Sequence, residues 1–150
     1  MARRNPPTAK AEPLIDIGHA LDLLAAAVEQ CGEYFVYPPV WIRDRCLYAA
    51  HSGPRCLVGH ALALAGVDED DLAALGDLGV RELYGEGRLP VRLTLGALAV
   101  FDAAQRSQDR GYAWGDALDY ASGVAVRLLD LLPDSAFSTA GALEDEQACC

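Results

Sequence analysis

Apolar positions at Leu14, Ile17, Leu21, Leu24, Val28 and Cys31 recur three or four residues apart, which marks one face of a helix starting at Pro13 and stopped by Gly32. His19, Asp22 and Glu29 fall off that stripe. The aromatic and β-branched run at 34–37, broken by Pro38-Pro39, predicts a short strand that pairs with a second one near 46–49 as a small ribbon. Ser52-Gly53-Pro54 reads as a turn, with Pro54 at or just before the first turn of the next helix. Helical spacing returns over 56–65 through Leu57, Ala61 and Leu64, widened by Val58 and Leu62, and Gly66 ends it. Asp68 then caps a short acidic helix over 69–75, and a further turn covers 80–84. GEGRLPVRL reads as a loop. Thr94 caps a longer helix with Leu95, Leu98, Phe101 and Ala104 inward, ending before Gly111. The last helix runs from Gly115 to Leu132 with Leu118, Ala121, Val124, Leu128 and Leu132 inward, and Pro133 stops it.

The expected fold is therefore mainly α: a compact bundle of about four to five helices with a small two-stranded β-ribbon. One helical domain spans 13–132, between a polar Pro-rich arm at 1–12 and an acidic tail at 133–150, both expected to be disordered. Composition sharpens this picture. Hydrophobic residues make up 52% of the 150 positions and aromatics only 7%, so the core is built from Ala, Leu and Val, which suits close helix packing.

Charge then narrows the function. Twelve Lys and Arg stand against 22 Asp and Glu, a net charge of −10. That opposes general nucleic-acid binding, which needs cations to neutralise phosphate, and it suits a soluble protein, a basic partner or, least well of the three, a nucleic-acid mimic. No apolar run reaches membrane-spanning length, and the basic N-terminus lacks a signal-peptide apolar core, so the expectation is a cytoplasmic protein with no membrane partner. The cysteines are at 31, 46, 56, 149 and 150; an odd count in a reducing compartment argues against a disulfide framework.

The candidate chemistry gathers in one stretch, Cys46 to Gly66. Cys46, His51, Cys56 and His60 form C-x4-H-x4-C-x3-H, a donor set suited to tetrahedral zinc although its spacing lacks the short cysteine knuckle. Without metal, the same cysteines are small core residues and His60 is a hydrogen-bonded, half-buried histidine. Cys56 at a helix start, beside Arg55 and one turn from His60, is also a candidate thiol nucleophile. No third orienting group is visible for that pair, and C-x5-R is absent. Arg43, Arg45 and Arg55 with the helix-start amides form a candidate anion site, against the alternative of ordinary surface arginines paired with acidic helices. Trp114 in a Gly-flanked joint reads first as an anchor between helices and second as an exposed hot spot for a partner. P-loop, H-E-x-x-H, C-x-x-C and G-x-S-x-G patterns are absent, and the acidic run at 68–71 lacks calcium-loop order.

Two blocks, CLYAAHSGPRCLVGHAL and the later AAQRSQDRGYAWGDAL, together resemble small uncharacterised proteins of actinobacteria and their phages, over residues 14–130. The resemblance implies a bacterial cytosolic setting and an accessory or host–phage role, and it brings no catalytic residue with it. The leading expectation is a non-catalytic protein-interaction or regulatory protein with a protein partner, or a homodimer through a helix face near Trp114. The alternative is a zinc-binding or thiol-dependent protein centred on Cys46, His51, Cys56 and His60.

Overall fold

The computed structural model describes residues 14–37, 48–50, 53–54 and 56–131. Six helices and four two-residue strands follow one another as β1 (Leu14–Ile15), α1 (Ile17–Cys31), β2 (Ala49–Ala50), β3 (Gly53–Pro54), α2 (Leu57–Leu64), α3 (Glu69–Ala74), α4 (Val80–Gly85), β4 (Arg92–Leu93), α5 (Leu95–Asp109) and α6 (Trp114–Leu131). The fold is mainly α, as the pattern of apolar positions implies.

Local capping sets most helix starts. Asp16, Asp68 and Thr94 each have extended backbone and accept from the amide three residues on: His19, Asp71 and Ala97 respectively. Asp16 moves the start of α1 from the expected Pro13 to Ile17. The two residues before that cap form β1, which pairs in parallel with β4, Leu14 opposite Arg92 and Ile15 opposite Leu93. The segment read as a GEGRLPVRL loop thus contributes a strand.

The antiparallel ribbon also differs from expectation. Residues 35–37 carry no regular structure; the ribbon joins β2 to β3, with Ala49 opposite Pro54 and Ala50 opposite Gly53. Pro54 therefore lies in a strand rather than in the first turn of α2. The run at 34–37 has strand-like composition, but the Phe35 carbonyl bonds to α6 and its amide to the Gly32 carbonyl, and local composition carries no trace of the first.

α5 is the central helix. It packs against α6, α1, α4 and α2, and is buried nearly all round from Ala97 to Gln108. Its first residue is the exception: Leu95, expected inward, is 73% exposed because α5 begins at the molecular edge. α6, packed on α5 and α1, buries Ala117, Ala121 and Ala125, with the expected Leu118, Val124 and Leu128 half-buried beside them. Small side chains one turn apart let a helix pack closely, so alanine takes the buried stripe and the larger residues flank it. On α2, Leu57, Val58, Ala61 and Leu62 are buried, whereas Leu64, expected inward, is exposed. No helix among the described residues is long and apolar enough to cross a membrane.

Candidate functional site

The two sequence blocks meet in space, around the N-termini of α2, α4 and α6. Two glutamines of α5 make the joint. Gln108 Oε1 accepts from the Leu57 amide at 2.7 Å, and Gln105 Oε1 accepts from the Val80 amide at 2.8 Å. Each amide opens a helix, α2 and α4, and has no intrahelical partner. Each glutamine therefore caps a helix distant in sequence. Gln105 Nε2 also donates to the Tyr48 hydroxyl at 2.8 Å, which in turn donates to the Leu78 carbonyl at 2.8 Å. Both glutamines and Tyr48 are buried. Burial pushes the Tyr48 phenol well above its ordinary range.

On the other side of α2, Gly59 permits close approach: a Cβ there would collide with the Tyr48 carbonyl oxygen. The start of α6 is held in the same manner. The amides of Trp114 and Gly115 donate to the carbonyls of Phe35 and Glu33, both at 2.8 Å, and a Cβ on Gly115 would lie 2.9 Å from the Glu33 oxygen. Trp114 is fully buried, with its ring edge-on to Phe35 at 4.7 Å and to His60 at 5.2 Å. It is the anchor between helices, not an exposed hot spot; the side chain presents no surface to a partner. Its Nε1 is the one buried side-chain nitrogen or oxygen without a hydrogen-bond partner among the described residues.

The sequence-predicted site residues divide as follows. Cys46, His51, Arg43, Arg45 and Arg55 lie outside the described residues. Cys56 is the N-cap of α2, its sulfur accepting from the Gly59 amide at 3.3 Å. It is disulfide-bonded, where reduced cysteines were expected, and its bonding partner is outside the described residues. In that form it has no thiolate to attack a substrate or ligate zinc, and both roles require its reduction. Among the described residues no group of three or more His, Cys, Asp or Glu side chains is placed to hold a metal ion.

His60 does not turn toward the Cys56 sulfur. Its Nδ1 lies 3.0 Å from the Cys56 carbonyl oxygen, and its Nε2 lies 3.5 Å from the sulfur of Cys31, a free and partly exposed thiol. Burial raises the Cys31 thiol above its ordinary value. The sequence pattern placed Cys31 on the apolar stripe of α1 and so concealed this pairing, since nothing local links positions 31 and 60.

Beyond the joint, Asp102 of α5 accepts from Arg81 of α4 at 2.9 Å and lies 3.3 Å from Arg106 Nε, an ion-pair fork across two helices. Both arginines are largely exposed, so the fork contributes on the order of 1 kcal/mol. Arg88 is tied to Glu86 and to the Ala74 carbonyl.

Comparison with protein-family models, with curated proteins and with solved structures gives no match. The functional reading rests on the residues themselves.

Proposed function

We propose that the chain is a non-catalytic protein-interaction or regulatory accessory protein of a bacterium or its phage, and that its binding face is the ledge formed by Tyr34, Phe35 and Val36. One observation carries this reading. Tyr34 is 85% exposed, on a backbone fixed at both flanking carbonyls: Glu33 and Phe35 accept from the first two amides of α6. A large aromatic held open to solvent on a rigid support has the character of an interface anchor, because little side-chain or backbone entropy is lost when a partner covers it. Val36, also exposed, extends the apolar surface along the same segment. Of the conspicuous polar and aromatic residues of the two blocks, Trp114 packs on Phe35 of that ledge, and Gln105, Gln108 and Tyr48 are engaged in holding the starts of α2 and α4. The acidic surface, from a net charge of −10, favours a partner with basic groups around an apolar centre.

Capture of partners from source cells tests the proposal when the wild-type chain is compared with Tyr34→Ser/Val36→Ser. Both positions are exposed, so the double variant is expected to keep its thermal midpoint while losing a protein that the wild type retains. Equal retention by both chains contradicts the assignment of the ledge. Turnover of a substrate that depends on Cys31 or His60 contradicts the non-catalytic reading.

A further inference from the structure

Cys31 closes α1, and its sulfur faces Nε2 of His60 at 3.5 Å. The opposite ring nitrogen, Nδ1, is 3.0 Å from the Cys56 carbonyl oxygen. A carbonyl only accepts, so Nδ1 must carry the proton. In the neutral ring Nε2 is then a bare lone pair, directed at the Cys31 thiol. Thiol, base and orienting acceptor thus stand in sequence, the arrangement that activates a weakly acidic nucleophile. The orienting group is a backbone carbonyl in the first turn of α2, which also accepts from the His60 amide at 2.9 Å, so the ring is fixed from the helix itself. Trp114 packs edge-on against the imidazole, and Phe35 packs on Trp114. Cys31 is the free thiol among the described residues and is partly open to solvent.

We propose that Cys31 is a base-assisted thiol that adds to electron-poor alkenes of the conjugated carbonyl class, with His60 taking and returning the proton. The sulfur forms a C–S bond at the β-carbon as the thiol proton passes to Nε2. The alkene pair moves toward the carbonyl oxygen as an enolate. The imidazolium then returns its proton to the α-carbon. The product is a thioether, every proton is accounted for, and no oxidant or further reactant takes part. The surroundings select this class. Burial disfavours a free thiolate, so the sulfur reacts as a thiol that hands its proton to Nε2, and the partly exposed Phe35 ring, in the turn that follows Cys31, suits a neutral carbon skeleton rather than a hydrated or charged electrophile. The inference does not rest on the proposed binding face, although Phe35 belongs to both.

The probe is N-ethylmaleimide at neutral pH, with adducts located by peptide mass spectrometry on the full chain. Native Cys31 is expected to label faster than the same residue in the denatured chain, although a partly buried thiol without assistance labels more slowly. His60→Gln keeps an acceptor but no base, and is expected to slow labelling about tenfold or more, the lower part of the range for general-base assistance. In denaturant the wild type and His60→Gln are expected to label equally. Added imidazole is expected to restore rate in His60→Ala. Native labelling no faster than denatured labelling overturns the proposal whether or not either variant folds, and so does an unchanged rate in a folded His60→Gln.

Discussion

Replacing Gln105 with methionine keeps the length and approximate volume of the side chain and removes both of its hydrogen-bonding ends. Gln105 is 3% exposed, so water does not stand in. Its Oε1 is the partner of the Val80 amide, and the N-cap residue Gly79 supplies no side-chain bond of its own. The substitution therefore strands a buried donor, at a cost of about 1–3 kcal/mol. The Tyr48 hydroxyl keeps its bond to the Leu78 carbonyl but loses the one it accepts, which removes about 0.5–1.5 kcal/mol more. The added apolar contact of methionine offsets part of this, so a net loss of about 2–3 kcal/mol is expected. For a chain of this size that lowers the thermal midpoint by about 2–4 °C per kcal/mol. Urea unfolding followed by circular dichroism reads the free energy. Tyr48→Phe supplies the second arm of a double-mutant cycle. Because both variants break the bond between Gln105 Nε2 and the Tyr48 hydroxyl, the pair is expected to couple by about 1 kcal/mol. A loss under about 0.5 kcal/mol, additive with Tyr48→Phe, refutes the view that Gln105 caps α4 from across the core.

Tyr48 also predicts an alkaline limit. Its folded pKa is raised by burial, so its stabilising effect is whole below the ordinary tyrosine value of about 10 and is lost as pH climbs above it, because the unfolded chain releases the phenolic proton first. Urea midpoints from pH 9 upward should fall more steeply in the wild type than in Tyr48→Phe, and parallel curves would exclude this cause. Gly59→Ala should destabilise by about 2 kcal/mol or more, because its Cβ meets backbone that cannot yield. Gly123→Ala, in open space within α6, should stabilise by about 0.5–1 kcal/mol, so opposite signs in the same unfolding assay check both. Trp114→Ala should cost about 3–5 kcal/mol as an emptied core site, and a midpoint within a few degrees of wild type would show that the indole does not anchor α6.

Features governed by neighbours within one turn were legible in the sequence. Asp68 and Thr94 cap their helices as read, α3 follows from its acidic start, and α5 and α6 follow from periodicity, because a cap and an apolar stripe are set within a few residues. Asp16 carried the same signal for α1, and the periodicity of Leu14 and Ile17 obscured it. The strands were not legible. Pairing of Leu14 with Arg92 depends on where α5 sits, and the carbonyls of Glu33 and Phe35 bond to α6 rather than to another strand. The roles of Gln105 and Gln108 were hidden for the same reason: a glutamine in a helical stretch reads as surface unless the amide it caps is known. In the candidate site, the alternative that His60 is a hydrogen-bonded, half-buried histidine matches its placement. Its link to Cys31, contributed by another helix, could not be read from spacing along α2.

The most direct test of a rigid, exposed binding ledge is photo-crosslinking in the source cells, with benzoylphenylalanine placed at Tyr34 and, as a control, at the exposed Tyr120 of α6. The account predicts a discrete crosslinked protein from position 34 and none from position 120. Equal crosslinking at the two positions, or none at position 34, would contradict it.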